Sequence, residues 1–313
     1  MKASDLGLLT DENASFFERM TVALQAHKFE REILEHCRGN NMDRVVVALD
    51  YGDAPVEYDG ARDGVFYLVF EIARCDVRVQ VDQLKRFNLA WGLTALHDLA
   101  VAIQQLHRGK VSHNDIKPSN LLVFDEELQK LADLGRATSP LMPALHDDEC
   151  CVGDPQYAAP EVLYAIDESS QAALCEFDHR RASDIYHLGS MTYFFITGRM
   201  LTPEVRRRMA PEHRPSMGEG GWLGTYEAVL PFWREAYSVV LEEFKENLVK
   251  EANGIFTPLS QSIFESVTHL CEPDPKLRGH PRNRIGHQDQ FSVDRYVSLF
   301  NFLRKEVMVR SNA

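Results

Sequence analysis

Apolar positions change period as the chain is read. From about Ser15 to Cys37, Phe16, Met20, Leu24, Phe29 and Ile33 recur at near-helical spacing, which predicts a helix that Asp11 or Asn13 would cap. Arg44 to Asp50 and Gly64 to Ile72 are rich in β-branched and aromatic residues. They predict two strands joined by a polar, turn-rich stretch from Gly52 to Asp63. Val81 to His107 returns to helical period, with Leu89, Leu93, Leu96, Leu99, Ile103 and Leu106 on one stripe. Short strands are predicted at Leu121 to Phe124 and Gln129 to Ala132. Beyond Glu161 the predicted elements are helices: Ser183 to Thr197, Tyr226 to Ala252, Pro258 to Cys271 and Val293 to Val307. Strands early and helices late predict a small mixed lobe joined to a larger helical one, with the boundary near Arg74 to Val81.

Composition narrows the function. The 313 residues are 44% hydrophobic and 26% charged, enough for a substantial core. Forty-seven acidic against 34 basic residues give a formal net charge of −13, which argues against a general nucleic-acid binder. Six cysteines form no spaced CxxC pair, and Met1 to Asp5 opens on no apolar signal segment, so a reducing, cytoplasmic setting is expected. The longest apolar candidate for a membrane span, Met191 to Thr197, is far shorter than the roughly 18 residues a span needs. The twelve histidines show no metal-ligand spacing. The basic run Arg206-Arg207-Arg208 reads as a solvated helix face.

The chemistry is concentrated in Ser-His-Asn-Asp-Ile-Lys-Pro-Ser-Asn, Ser112 to Asn120, and in Asp133-Leu134-Gly135 after a short apolar run. Three later stretches keep the same order: Gly153-Asp154-Pro155-Gln156-Tyr157-Ala158-Ala159-Pro160-Glu161, Ser183-Asp184-Ile185-Tyr186-His187-Leu188-Gly189, and Asp274-Pro275-Lys276-Leu277-Arg278. Together they resemble the protein kinase superfamily, in order and over nearly the whole chain. The resemblance implies an α+β, two-lobed fold forming a single domain over 1–313, with a small, partial, β-rich N-lobe (1–76) and a larger, mainly helical C-lobe (77–313). It implies ATP and Mg2+ as cofactors, a protein substrate, and transfer of the γ-phosphoryl group to serine or threonine.

The resemblance also assigns roles. Asp115 would orient the attacking hydroxyl and take its proton, and Lys117 would place positive charge by the phosphoryl group. Asn120 and Asp133 would hold metal. Glu71 and Ala73 would offer hinge backbone to adenine, with Phe70 at the back of the pocket. Lys2 would contact the phosphates and pair with Glu32, Glu30 being its close rival. His113, Gly135, Asp184 and a buried Glu161–Arg278 ion pair would be structural.

Four departures stand beside these matches. No G-x-G-x-x-G occurs, which leads to the expectation that Met1 is not the true start or that the sequence is a fragment. Asn114 stands where the family commonly has arginine, so a switch that phosphorylates the segment at Thr138 or Ser139 is not expected to be needed. Asp154 replaces a threonine and would either pair with Lys117 or repel Asp115. Leu134 replaces a phenylalanine. The competing expectation is a kinase-like interaction module without catalysis; a small-molecule phosphotransferase is disfavoured by Lys117 and Ala159-Pro160-Glu161.

Overall fold

The computed structural model describes residues 2–3, 15–58, 61–83, 88–124, 128–165, 168–216, 220–251, 255, 257–285 and 288–311. A three-stranded antiparallel sheet comes first, in the order β1 (Lys2–Ala3), β3 (Ala61–Phe70), β2 (Ala48–Tyr58). The ladder between β2 and β3 runs from Ala48↔Phe70 to Tyr58↔Ala61, so the polar stretch Gly52 to Asp63 is hairpin and not loop. Main-chain pairing tolerates polar side chains, and the sequence between the arms is Asp59-Gly60, a strong hairpin signal.

Helix α1 (Phe16–Gly39) starts at Ser15, whose hydroxyl accepts the Glu18 N–H while the Glu18 carboxylate accepts the Ser15 N–H. This reciprocal capping box supplies the helix start. The expected caps Asp11 and Asn13 lie outside the described residues. The predicted strand Arg44 to Asp50 divides. Its first half leaves the hairpin: Val45 bridges Leu131 in parallel, and Val46 N–H donates to the Leu131 carbonyl at 2.8 Å.

A second small sheet has the order β4 (Cys75–Asp76), β5 (Leu121–Val123), β6 (Gln129–Leu131). The predicted helix Val81 to His107 is two helices, α2 (Val77–Gln83) and α3 (Leu89–Arg108). After α4 (Pro160–Leu163) and α5 (Glu168–Leu174) comes α6 (Phe177–Thr197), buried along its length from Ala182 to Phe195. Gly189 lets it approach the next layer, because a Cβ there would sit 2.4 Å from Cys271 Sγ. The remaining helices are α7 (Leu201–Arg208), α8 (Tyr226–Glu251), α9 (Pro258–Leu270), α10 (Pro281–Ile285) and α11 (Asp294–Ser311). Helix α6 packs on α3, α8 and α9, and α3 packs on α11. The fold is α+β, with the sheet and α1 on one side of a larger helical body.

The run Arg206 to Arg208 is not simply a solvated face. Arg207 and Arg208 both reach Glu204, which is only 2% exposed, and Arg208 also pairs with Glu243 of α8. A buried carboxylate needs such partners, and here they tie α7 to α8.

Candidate active site

Asp184, near the start of α6, builds the floor of the site. One carboxylate oxygen accepts the Asn114 N–H at 2.8 Å. The other accepts the His113 N–H at 2.9 Å, the Ser112 hydroxyl at 2.8 Å and His107 Nε2 at 2.9 Å. Burial alone would raise its pKa; the hydrogen bond from His107 and nearby histidine charge outweigh that and hold it at about 2. An ionised, buried acceptor of this kind fixes the backbone on which Asp115 is mounted.

His113 orders the next layer. The Asp115 N–H donates to His113 Nδ1 at 3.2 Å, so the ring proton lies on Nε2 and is donated to the Ala132 carbonyl at 2.9 Å. That bond links Asp115 to the residue before Asp133. Asp133 takes the left-handed backbone at φ 65° and Asn114 does so at φ 64°. Asn and Asp accept this conformation more readily than other side chains, and such residues cluster at functional sites. Leu134 is fully buried beneath Asp133, Gly135 follows in a 3-10 turn, and Asp133 itself is exposed.

Asp115 is 7% exposed and held from three sides. Lys117 Nζ lies 2.9 Å from Oδ2, and Asn120 Nδ2 donates to Oδ2 at 3.1 Å and to the Asp115 carbonyl at 2.8 Å. The Asp154 N–H donates to Oδ1 at 2.9 Å. The Asp154 carboxylate stands 4.0 Å from Lys117 Nζ, so of the two alternatives for this residue the geometry is pairing with Lys117. Gly153 makes the approach possible. At φ 88° with a Cβ it would lie 2.6 Å from the Asn114 carbonyl and 3.0 Å from Asp115 Oδ1. Reading the sequence missed this glycine, although it opens the Gly153–Glu161 motif.

Asn114 has its own work. Its amide donates to the Arg136 carbonyl and to Thr138 Oγ1, both at 3.0 Å, and Ser112 and Thr138 pair as a β-bridge. Thr138 and Ser139 are 6% and 7% exposed. Glu161 and Arg278 form a two-point ion pair at 2.6 and 2.7 Å. Burial opposes the arginine's charge, but the Glu161 carboxylate more than offsets it and raises its pKa.

At the expected hinge, Phe70 ends β3, the Glu71 carboxylate pairs with Lys130 at 2.6 Å, and Ala73 is half-buried. Ile72 between them is 93% exposed. Lys2 is placed by its backbone in β1, in register with Leu68 of β3; its side chain lies outside the described residues. Of the two acids expected to pair with Lys2, Glu32 has its carboxylate 3.8 Å from Lys28 and is 40% exposed. Glu30 is the buried acid, sharing a stripe with Ala23, His27, Leu34 and Cys37. Two positions along a helix turn a side chain by about 200°, so the two acids point to different sides of α1.

The donor set suits a hard cation. Asn120 commits its amide N–H groups to Asp115, which leaves its oxygen, and Asp133 adds a carboxylate; oxygen donors of this kind fit Mg2+. No group of three or more His, Cys, Asp or Glu arranged for a metal occurs among the described residues. No described helix is long and apolar enough to cross a membrane.

A family model described as protein kinase domain matches residues 20–288. Serine/threonine-protein kinase PLK4 of Drosophila persimilis is 31% identical over 136 residues, 42% of this chain and 16% of that protein. MAP kinase-interacting serine/threonine-protein kinase 1 of Xenopus tropicalis is 28% identical over 181 residues, 54% of this chain and 39% of that protein. Cell division control protein 2 homolog 3 of Trypanosoma brucei brucei is 28% identical over 185 residues, 55% of each chain. In each case the match spans less than two thirds of the relative's length. The family match begins inside α1 and ends beyond α10, taking in β2, β3 and most of the helical body, and the chain belongs to the protein kinase family.

Proposed function

We propose that this protein is an ATP- and Mg2+-dependent protein kinase that phosphorylates serine or threonine, acting as one domain with lobes at 1–76 and 77–313. The observation that carries the reading is the convergence of Lys117, Asn120 and the Asp154 N–H on the Asp115 carboxylate. Oδ2 takes two donors and Oδ1 only one among the described residues, so Oδ1 keeps a lone pair for a substrate hydroxyl. Asp115 would orient that hydroxyl and receive its proton, and Lys117 would balance the negative charge that develops. Bound Mg2+ would neutralise the phosphate oxygens, held by Asn120 and Asp133. Lys117 and the names of the relatives favour serine or threonine over tyrosine. The backbone from Glu71 to Ala73 would take the adenine. Lys2 with Glu30 would take the phosphates.

The test is transfer from labelled ATP with Mg2+ to a mixed peptide library. Asp133→Asn and Asp115→Asn are expected to lower transfer by at least about 10²-fold. Folded wild-type protein that transfers nothing would favour the second reading, an interaction module. That reading is favoured by the Asp154 carboxylate beside Lys117, which offsets part of the positive charge.

A further inference from the structure

Arg180 lies in the first turn of α6, is 4% exposed, and has no carboxylate partner among the described residues. A buried guanidinium in that position needs acceptors. Its two terminal nitrogens find them in one short stretch of another segment: Nη2 donates to the Asp147 carbonyl at 3.3 Å and to the Glu149 carbonyl, and Nη1 donates to the Cys150 carbonyl at 3.4 Å. All three acceptors fall within four residues. Four residues after Cys150 comes Asp154, whose N–H holds Asp115.

The same segment is tied at two earlier points. Asn114 grips Arg136 and Thr138. His146, 6% exposed, bonds the Ala137 carbonyl through Nε2 at 2.8 Å and packs edge-on against Phe29 of α1. Ser112 adds a main-chain bridge to Thr138, and Thr138 and Ser139 are buried among these ties.

We propose that Arg180 is a positioning residue for phosphoryl transfer. Its guanidinium fixes residues 147–150 so that Gly153 and Asp154 lie against Asp115 without a phosphate on the segment. The proposal rests on the kinase reading for its catalytic part, while the anchoring is measurable without it. A planar fork spans several carbonyls where an ammonium, a point charge, cannot.

The experiment compares wild type with Arg180→Met and with Arg180→Lys, which keeps charge and stem if the first variant fails to fold. Amide exchange is read across the chain, and kcat and KM for ATP are read with the peptide library. In both variants the Glu149 and Asp154 amides are expected to exchange at least about tenfold faster, while those of Leu188 to Thr192 in α6 keep their protection. Per folded molecule, kcat is expected to fall at least about tenfold, with KM for ATP within about twofold and with Arg180→Lys less affected than Arg180→Met. Phosphatase treatment of wild type is expected to leave kcat unchanged. Unchanged exchange at Glu149 and Asp154 would overturn the anchoring. Acceleration spread evenly over α6 and α9 with kcat intact would overturn the positioning role, as would loss of activity on phosphatase treatment. A wild type that transfers no phosphate removes the kinase reading and the catalytic part with it, and the exchange data still decide the anchor.

Discussion

Glu161 and Arg278 stand 117 positions apart and meet as a buried, two-point ion pair, with the arginine also donating to the Ala182 and Pro273 carbonyls. Removing either partner strands a buried charge. Glu161→Gln and Arg278→Met are each expected to cost about 3–5 kcal/mol in urea unfolding, and the double variant less than their sum. At this scale the sequence motifs carried much of the site: Asp115, Lys117, Asn120 and Asp184 converge around one loop. Gly153, Arg180, His146 and His107 were not legible. Their roles come from close approach and from burial of one polar atom, and neither leaves a pattern in neighbouring residues. Asn114 was visible only as a departure; the backbone it accepts and the two groups it grips needed coordinates.

Helix α1 shows how an element decides between neighbouring residues. The acids Glu30 and Glu32 are equivalent by composition, and only the stripe Ala23, His27, Glu30, Leu34, Cys37 says which one points inward. Glu30→Gln is expected to lower kcat/KM for ATP at least about tenfold, whereas Glu32→Gln should leave both activity and stability within about 0.5 kcal/mol of wild type. A larger loss in Glu32→Gln than in Glu30→Gln would assign the pairing with Lys2 to Glu32. The long helices were legible because their apolar period is sustained. The Ser15–Glu18 capping box and the Asp59-Gly60 pair are both signals in the sequence, obscured by earlier polar residues and by the polarity of the hairpin arms. The division of Arg44–Asp50 between two sheets was not legible, because a run of valines reads the same whichever strand it joins.

Over the whole molecule, acid is expected to act through two buried carboxylates. Asp184 is held at about 2. Asp98 is lowered too: burial would raise it, but His97, the Gln129 N–H and Arg44 outweigh burial. A carboxyl whose folded pKa lies below its unfolded value stabilises the fold above that unfolded value, about 3.9, and loses the contribution as pH falls through the folded one. Urea unfolding at pH 7, 5 and 3 should therefore show a loss setting in below about pH 4. Asp184 alone would account for roughly 2 kcal/mol of it by about pH 2. Asp184→Asn should be less stable at pH 7 and should flatten this acid limb; an acid limb as steep as wild type would sink the assignment.

The chain crosses from the sheet to the helical body at Phe70 to Cys75, but that crossing is not the sole attachment. The stretch after α1 is fastened to the body as well, by Val46 on Leu131, by Arg44 on Asp98 at 3.0 Å, and by His36 of α1 on the Gly109 carbonyl at 2.8 Å. Two separated attachments define a line, as a pair of hinges does for a door. A swing of the sheet about that line would disturb these attachments least, although it would have to part Phe29 of α1 from His146. The end of α1 near Gly39 lies by that line and would travel little, while the residues of β2 and β3 remote from Phe70 would travel further.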